Sequence, residues 1–150
     1  MAVVAAPGVH LSPLTITGCT PTTFELICTP VAIGRFTGIV VVIYRPGSCA
    51  VQSVFFDELS TLSDIIAAYQ EPIYVAGDFN IRLDRAEDPH TRQFHDVIGR
   101  YGLAKRPMAS THQLCGTIDA VITRCDISGP DVICVDVDLS NHLIIIFFNG

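Results

Sequence analysis

Residues 73–80 combine an apolar strand with two polar side chains at its end. Their sequence is almost wholly apolar up to Gly77 and then presents Asp78 and Asn80. In an extended chain, residues two apart point to the same side, so the carboxylate and the amide would share one face of the sheet rim. A carboxylate accepts a proton at neutral pH, and an amide stabilises developing negative charge without adding its own. The pair therefore predicts a site at the strand end, although Asp and Asn after a glycine are also ordinary turn residues.

Three further polar motifs stand where a predicted strand meets a loop. They are Tyr44-Arg45-Pro46, then Thr111-His112 with Gly116-Thr117-Ile118-Asp119, and lastly Ser140-Asn141-His142. An α/β sheet presents its ligand-binding residues at strand ends, which favours one shared site. A carboxylate inside an apolar strand needs a partner, and His142 is a natural one for Asp119. Taken alone, Tyr44 is equally typical of a buried tyrosine, and Asp119 of a solubilising charge at a strand edge.

The strand that starts at Ile73 follows a strand and a helix, which predicts a β-α-β passage. Residues 38–44 are a run rich in Ile and Val, and the apolar residues of 53–69 recur at helical spacing. A second helix is predicted over 91–101, with Gly102 at its end. The remaining predicted strands are 2–6, 14–16, 23–29, 117–123, 132–137 and 143–148.

The composition fits a single domain spanning residues 1–150. A chain of 150 residues with 49% hydrophobic residues can bury a sizeable core. No apolar run approaches the roughly 18 residues of a membrane helix, so no membrane partner is predicted. The net charge of -6 is the wrong sign for general attraction to a nucleic acid. Any such contact would rely on local clusters such as Arg100, Lys105 and Arg106, or on a metal.

The six cysteines are widely spaced, and no two of them stand two residues apart. This spacing favours free, mostly buried thiols in a reducing compartment over a disulfide framework or a zinc site. No targeting signal is readable in the sequence.

The order of the four motifs, with a helix between the first two and an apolar strand after the last, resembles the endonuclease/exonuclease/phosphatase family. The likeness is strongest to the endonuclease domain of non-LTR (LINE-type) retrotransposons, and it covers nearly all of the chain. It implies an α/β fold built as a four-layer sandwich of two mixed β-sheets flanked by helices, truncated by the loss of the family's N-terminal strands. It also implies Mg2+-dependent hydrolysis of a phosphodiester in DNA by an intracellular protein, nuclear where it acts on chromosomal DNA.

The resemblance implies a role for each motif residue. Asp78 would orient or deprotonate the attacking water, and Asn80 would hold a phosphoryl oxygen. Tyr44 would place its phenol on the phosphate. His142 would contact the scissile phosphate, and Asp119 would bond the other ring nitrogen of His142, which fixes the tautomer and favours the imidazolium form.

Thr111 and Ser140 would lie against the same phosphate.

The metal ligands depart from the family pattern. The family takes a polar residue and a glutamate from its first strands, both expected upstream of the residues present here. Between Met1 and Thr37, only Glu25 could replace them, and it stands in a different motif context. The family's third ligand is the Asp before the final His, where this chain has Asn141. A neutral amide is a far poorer Mg2+ ligand than a carboxylate. We therefore expect a degenerate copy with weak or no activity.

Two other functions stay open. One is a non-catalytic interaction module, because missing N-terminal strands would leave a sheet edge open to self-association. The other is a phosphatase acting on small phosphoesters, since the family includes such enzymes and the acidic loop at 84–88 favours neither substrate class.

Overall fold

The computed structural model describes residues 3, 7, 10–33, 36–106 and 119–127, and the backbone of residues 131–136 and 143–148. Most of the predicted strand 2–6 lies outside these residues. The elements are β1 Glu25–Ile33, β2 Phe36–Tyr44, α1 Ser53–Ala67, β3 Ile73–Asp78, α2 Pro89–Arg100, β4 Leu103–Lys105, β5 Asp119–Arg124, β6 Asp131–Asp136 and β7 Leu143–Phe148.

The passage from β2 through α1 to β3 is a β-α-β unit, as the sequence predicts. β2 and β3 pair in parallel, with Ile39 opposite Ile73 and Tyr44 opposite Asp78. Valine and isoleucine recur in both strands because β-branched side chains pack well on a pleated surface. Parallel strands need a crossover connection, and α1 supplies it.

The described strands form one mixed five-stranded sheet and a separate pair. The five-stranded sheet has the order β1-β2-β3-β5-β4. Within it, β2 and β3 are parallel and the other neighbours are antiparallel. β6 and β7 pair antiparallel as a two-stranded sheet. The part of the chain described is thus a mixed α/β fold with a five-stranded sheet and two helices, and the expected four-layer sandwich is not confirmed.

The strands differ from the predicted ones at several ends. β1 extends the predicted strand 23–29 through Pro30 to Ile33, and proline is tolerated because β1 is an edge strand of this sheet. Residues 14–16 form no strand, although the Leu14 N–H donates to the Cys28 carbonyl oxygen at 2.8 Å. The sequence pattern does not predict β4, since its three residues are too few to show an alternation. Self-association through a sheet edge stays a prediction.

The apolar side of α1 packs into the core, as the helical spacing predicts. Phe55, Leu59, Leu62 and Ile66 are each at most 2% exposed. They belong to the core cluster that also contains the side chains of α2 and one face of the sheet. Within the described ranges, neither helix has the length and apolarity that crossing a membrane requires.

The start of α2 lies two residues before the predicted one because Asp88 caps the helix. The Asp88 carboxylate accepts hydrogen bonds from the backbone N–H groups of His90 and Thr91, at 2.8 and 3.3 Å. Pro89 occupies the first turn, where its missing N–H breaks no helical hydrogen bond. Gly102, with φ at +67°, follows the helix end as predicted.

β3 is buried on both faces, as its apolar run predicts. Ile73 and Val75 belong to the core cluster shared with both helices. Tyr74 and Ala76 point to the opposite face and are 3% exposed. By the alternation of a strand, Asp78 projects to the same face as Tyr74, away from the helices.

Four cysteines lie in the described part, and all four are free. Cys19 and Cys28 are buried, whereas Cys49 and Cys125 are exposed. The prediction of free thiols is confirmed for these four, but only half of them are buried. Burial raises the pKa of the Cys28 thiol to about 11, which leaves it unreactive at neutral pH.

Glu58 of α1 fastens the segment that leads into β1. Its carboxylate accepts hydrogen bonds of 2.5 to 3.0 Å from the backbone N–H and the hydroxyl of both Thr22 and Thr23. Burial acts to raise the pKa of Glu58, but these hydrogen bonds outweigh it and hold the pKa below its ordinary value.

Gly77 allows the backbones of β2 and β3 to approach closely. A Cβ atom at this position would lie 1.9 Å from the carbonyl oxygen of Ile43. We expect Gly77→Ala to lower the free energy of unfolding by about 3 kcal/mol, because the clash is with backbone that cannot turn away. Gly99→Ala is the control, since nothing lies within 4 Å of its Cβ, and it should stabilise α2 by about 1 kcal/mol. Equal urea midpoints for both variants would contradict the close approach.

Glu58→Gln should lower the free energy of unfolding at neutral pH by about 1–2 kcal/mol, since the hydrogen bonds lose their charged acceptor. Because the folded-state pKa is depressed, this stabilisation is present above the ordinary glutamate pKa and is lost as the pH falls through the folded-state value. Urea unfolding should therefore separate the two proteins at pH 7 and bring them together below about pH 4. The exposed Asp57→Asn is the control and should change stability by less than about 0.5 kcal/mol. A difference that persists unchanged into acid would show that the charge is unimportant.

Candidate active site

Three polar side chains stand side by side at one end of the five-stranded sheet. Tyr44 of β2 is opposite Asp78 of β3, and Asp78 is opposite Asp119 of β5. Paired residues on neighbouring strands project to the same face, and the strands are about 4.8 Å apart. All three side chains are half-buried. The structure thus brings Tyr44, Asp78 and Asp119 together, and we call them the site row.

Glu25 continues the site row onto β1. It is the first residue of that strand and pairs with Tyr44. The motif context of Glu25 gives no hint of this, because only the strand register sets which residues stand opposite each other. Glu25 lies two strands from Asp78, about 10 Å away. Among the described residues, no three His, Cys, Asp or Glu side chains are grouped closely enough to hold a metal ion.

Asn80 sits in a turn directly after β3. Its φ of +49° lies in the left-handed region, so Asn80 is not part of the extended strand. The alternation of side chains between the two faces of the sheet therefore ends at Asp78. The Asn80 N–H donates to Asp78 Oδ1 at 2.9 Å, which is the turn chemistry that the sequence left open. Asn80 Nδ2 donates to the Arg45 carbonyl oxygen at 2.7 Å. A Cβ atom at Gly47 would lie 2.6 Å from Asn80 Oδ1, so the amide is closely enclosed.

Arg45 joins the loop after β2 to the loop after β3. Its side chain is buried, with 3% of the residue exposed. Nε donates to the Phe79 carbonyl oxygen and one terminal nitrogen to that of Asn80, both at 2.7 Å. The other terminal nitrogen donates to the carbonyl oxygens of Pro46 and Cys49, at 3.3 and 2.9 Å. The motif that contains Arg45 predicts no role for it, although a charge placed directly after a buried strand is a signal for one.

The Arg45 guanidinium is a buried positive charge behind the site row. Its carbon lies 5.7 Å from the centre of the Phe55 ring, within range of a cation–π contact. Burial lowers the pKa of Arg45, while the charge of Asp78 and that of Cys49 act to raise it. Arg45 and Asp78 thus attract each other at this end of the sheet.

Four predicted site residues lie outside the residues that the structure describes. They are Thr111, Ser140, Asn141 and His142. The bond between Asp119 and His142 and the phosphate contacts of Thr111 and Ser140 therefore stay predictions.

Arg106, one of the basic residues that the sequence offers for nucleic acid contacts, bonds to the end of β5. One terminal nitrogen of Arg106 donates to the Arg124 carbonyl oxygen at 3.0 Å and also to the Ile127 carbonyl oxygen, and its Nε donates to the Thr123 hydroxyl. Arg106 thus holds the end of β5 that lies away from Asp119. Lys105 lies near His95, whose pKa is lowered first by burial and then by this positive charge.

No protein-family model and no curated protein sequence matches this chain. Several solved structures are similar to this chain in fold. The endonuclease domain of TRAS1, a telomere-specific non-LTR retrotransposon, is 12% identical with a TM-score of 0.53, over 85% of this chain and 74% of that one. A beta hairpin deletion mutant of beta toxin from Staphylococcus aureus is 13% identical with a TM-score of 0.52, over 85% of this chain and 56% of that one.

A beta toxin structure with bound magnesium ions is also similar, at 12% identity and a TM-score of 0.54, over 81% of this chain and 53% of the toxin. The chain has the fold of these proteins. The resemblance to retrotransposon endonuclease domains drawn from the motifs is thus confirmed at the level of the fold. The chain spans about half the length of the beta toxins it matches.

Proposed function

We propose that this chain is a DNA-binding domain of the retrotransposon-endonuclease type, with weak or absent cleavage of the phosphodiester it binds. The observation that carries the proposal is the register that sets Tyr44, Asp78 and Asp119 side by side. The likeness of the fold to the endonuclease domain of TRAS1 favours DNA over a small phosphoester as the bound molecule.

The side chains of the site row suit the hydrolysis of a phosphodiester. Asp78, which the buried charge of Arg45 attracts, would accept the proton of the attacking water. The Tyr44 phenol beside it would donate to a phosphoryl oxygen. Asn80 Nδ2 carries two hydrogens, and its bond to the Arg45 carbonyl uses one of them. The second would donate to the phosphate, where negative charge grows during the reaction.

Asp119 would act through His142 and not on the substrate itself. A carboxylate bonded to one ring nitrogen orients the imidazole and favours its protonated form, which can then contact the scissile phosphate. Thr111 and Ser140 would complete the phosphate contacts.

Mg2+ fits the described donor set only in part. Asp78 and Asp119 offer the charged oxygens that this hard cation prefers. However, Asp78 Oδ1 already accepts the Asn80 N–H, and the described ranges group no three candidate ligands. Asn141 is a neutral amide where the family has a carboxylate ligand. This incomplete donor set is the reason for proposing weak or absent cleavage.

A titration with a short DNA duplex, free of divalent metal, tests the binding. The backbone amide resonances of the site row should shift, whereas Asp126, beyond the far end of β5, should not respond. Asp78→Asn should lower the Kd for the duplex about fivefold, because it removes the repulsion between the Asp78 carboxylate and a DNA phosphate. For like charges 4 Å apart in water, this repulsion is roughly 1 kcal/mol. Asp126→Asn changes the net charge equally and, being remote and exposed, should leave the affinity within about twofold. Shifts that avoid the site row would contradict the proposal.

Nicking of supercoiled plasmid in Mg2+ tests the cleavage. The unmodified chain is expected to stay at background. Asn141→Asp supplies only one charged ligand and is expected not to restore nicking. Robust nicking by the unmodified chain that Asp78→Ala abolishes would overturn the proposed loss of activity and would assign Asp78 to the reaction.

A further inference from the structure

Arg45 is a buried charge that faces protein carbonyl groups. Its four hydrogen bonds go to the carbonyl oxygens of Pro46, Cys49, Phe79 and Asn80. A guanidinium has five N–H hydrogens in one plane, so these bonds use most of its capacity. Burying a charge is unfavourable unless it is fully hydrogen-bonded, and here the bonds all serve to hold two loops.

We propose that Arg45 is the positioning residue of the candidate site, fixing the turn after β3 that carries Asn80 against the turn formed by residues 46–49. The proposal rests on the function proposed above, because it deepens the account of the same site. Arg45 does not contact the substrate.

The bonds around Arg45 form a reciprocal lock between the two loops. Its side chain donates to the Phe79 and Asn80 carbonyls, and the Asn80 side chain donates back to the Arg45 carbonyl. The Arg45 backbone N–H donates to the Asp78 carbonyl oxygen at 2.9 Å. The left-handed backbone of Asn80 is therefore held from both sides, and the Asn80 N–H is kept on Asp78 Oδ1.

Only arginine suits this position. The fork of a guanidinium reaches carbonyl groups that diverge in one plane, whereas a lysine ammonium is a single point charge. Lysine would keep the charge and leave some of the four carbonyl oxygens without their donor. Arg45→Lys therefore separates the geometry of the lock from the charge behind Asp78.

Hydrogen exchange of individual amides tests the lock. In Arg45→Lys, the Asn80 N–H should exchange about tenfold faster relative to the core amides of Val41 and Val75, because a local opening replaces the held turn. Arg106→Lys is the matched control, since Arg106 also bonds carbonyl groups but at the far end of β5. It should leave the ratio of Asn80 to core exchange within about twofold. A ratio that is unchanged in Arg45→Lys would overturn the proposal.

A measurement on the unmodified chain keeps the proposal testable if Arg45→Lys does not fold. The Nε–H of Arg45, buried on the Phe79 carbonyl, should exchange about a hundredfold slower than the Nε–H of Arg92. Arg92 Nε also faces a carbonyl oxygen, that of Ala86, but it is exposed. Equal exchange rates for the two groups would overturn the lock.

The DNA titration distinguishes positioning from a general effect on stability. In Arg45→Lys, the DNA-induced shift of Asn80 should be lost while the shifts of Tyr44 and Asp119 remain. Loss of all three shifts together would contradict a positioning role. If the unmodified chain does not respond to DNA at all, the proposed function fails, and the exchange ratio at Asn80 still decides whether Arg45 holds the loop.

Discussion

The parallel pairing of β2 with β3 is the constraint on which the site depends. Because α1 carries the chain back across the sheet, both strands run in the same direction and their carboxyl ends meet at one edge. That edge receives Tyr44, Asp78 and the two loops that follow them. Gly77 admits the Ile43 carbonyl oxygen at a distance that no side chain would tolerate. Gly77, which has no side chain to react, thus sets the spacing of the two strands that carry Tyr44 and Asp78.

Two loops that meet at a sheet edge leave carbonyl groups without partners, and Arg45 resolves this. An unsatisfied buried carbonyl costs about 1–3 kcal/mol, and Arg45 supplies a donor to four of them. The cost is a buried charge, which the carbonyl dipoles, the Phe55 ring and Asp78 offset. The Arg45 side chain therefore both stabilises the two loops and places a positive charge near Asp78.

The sequence predicts the helices and strands better than it predicts which residues they bring into contact. The β-α-β unit and both helices follow from apolar periodicity and capping, which are local properties. The partners of Arg45 and the place of Glu25 opposite Tyr44 depend on strand register, which brings together residues far apart in the chain. The alternation that holds for Asp78 stops at Asn80, because a left-handed residue ends the strand. Local pattern thus predicts the strand ends at which polar residues stand, whereas the contacts of Arg45 are visible only in the folded chain.

The site row contains an unfavourable pair that the fold nevertheless keeps. Asp78 and Asp119 are directly opposite on neighbouring antiparallel strands, where like charges repel each other. The buried guanidinium of Arg45 attracts Asp78 and so offsets part of this repulsion. A sheet built for stability alone would place apolar or oppositely charged residues at these positions. The buried charge of Arg45 therefore helps the end of the sheet to hold two facing carboxylates.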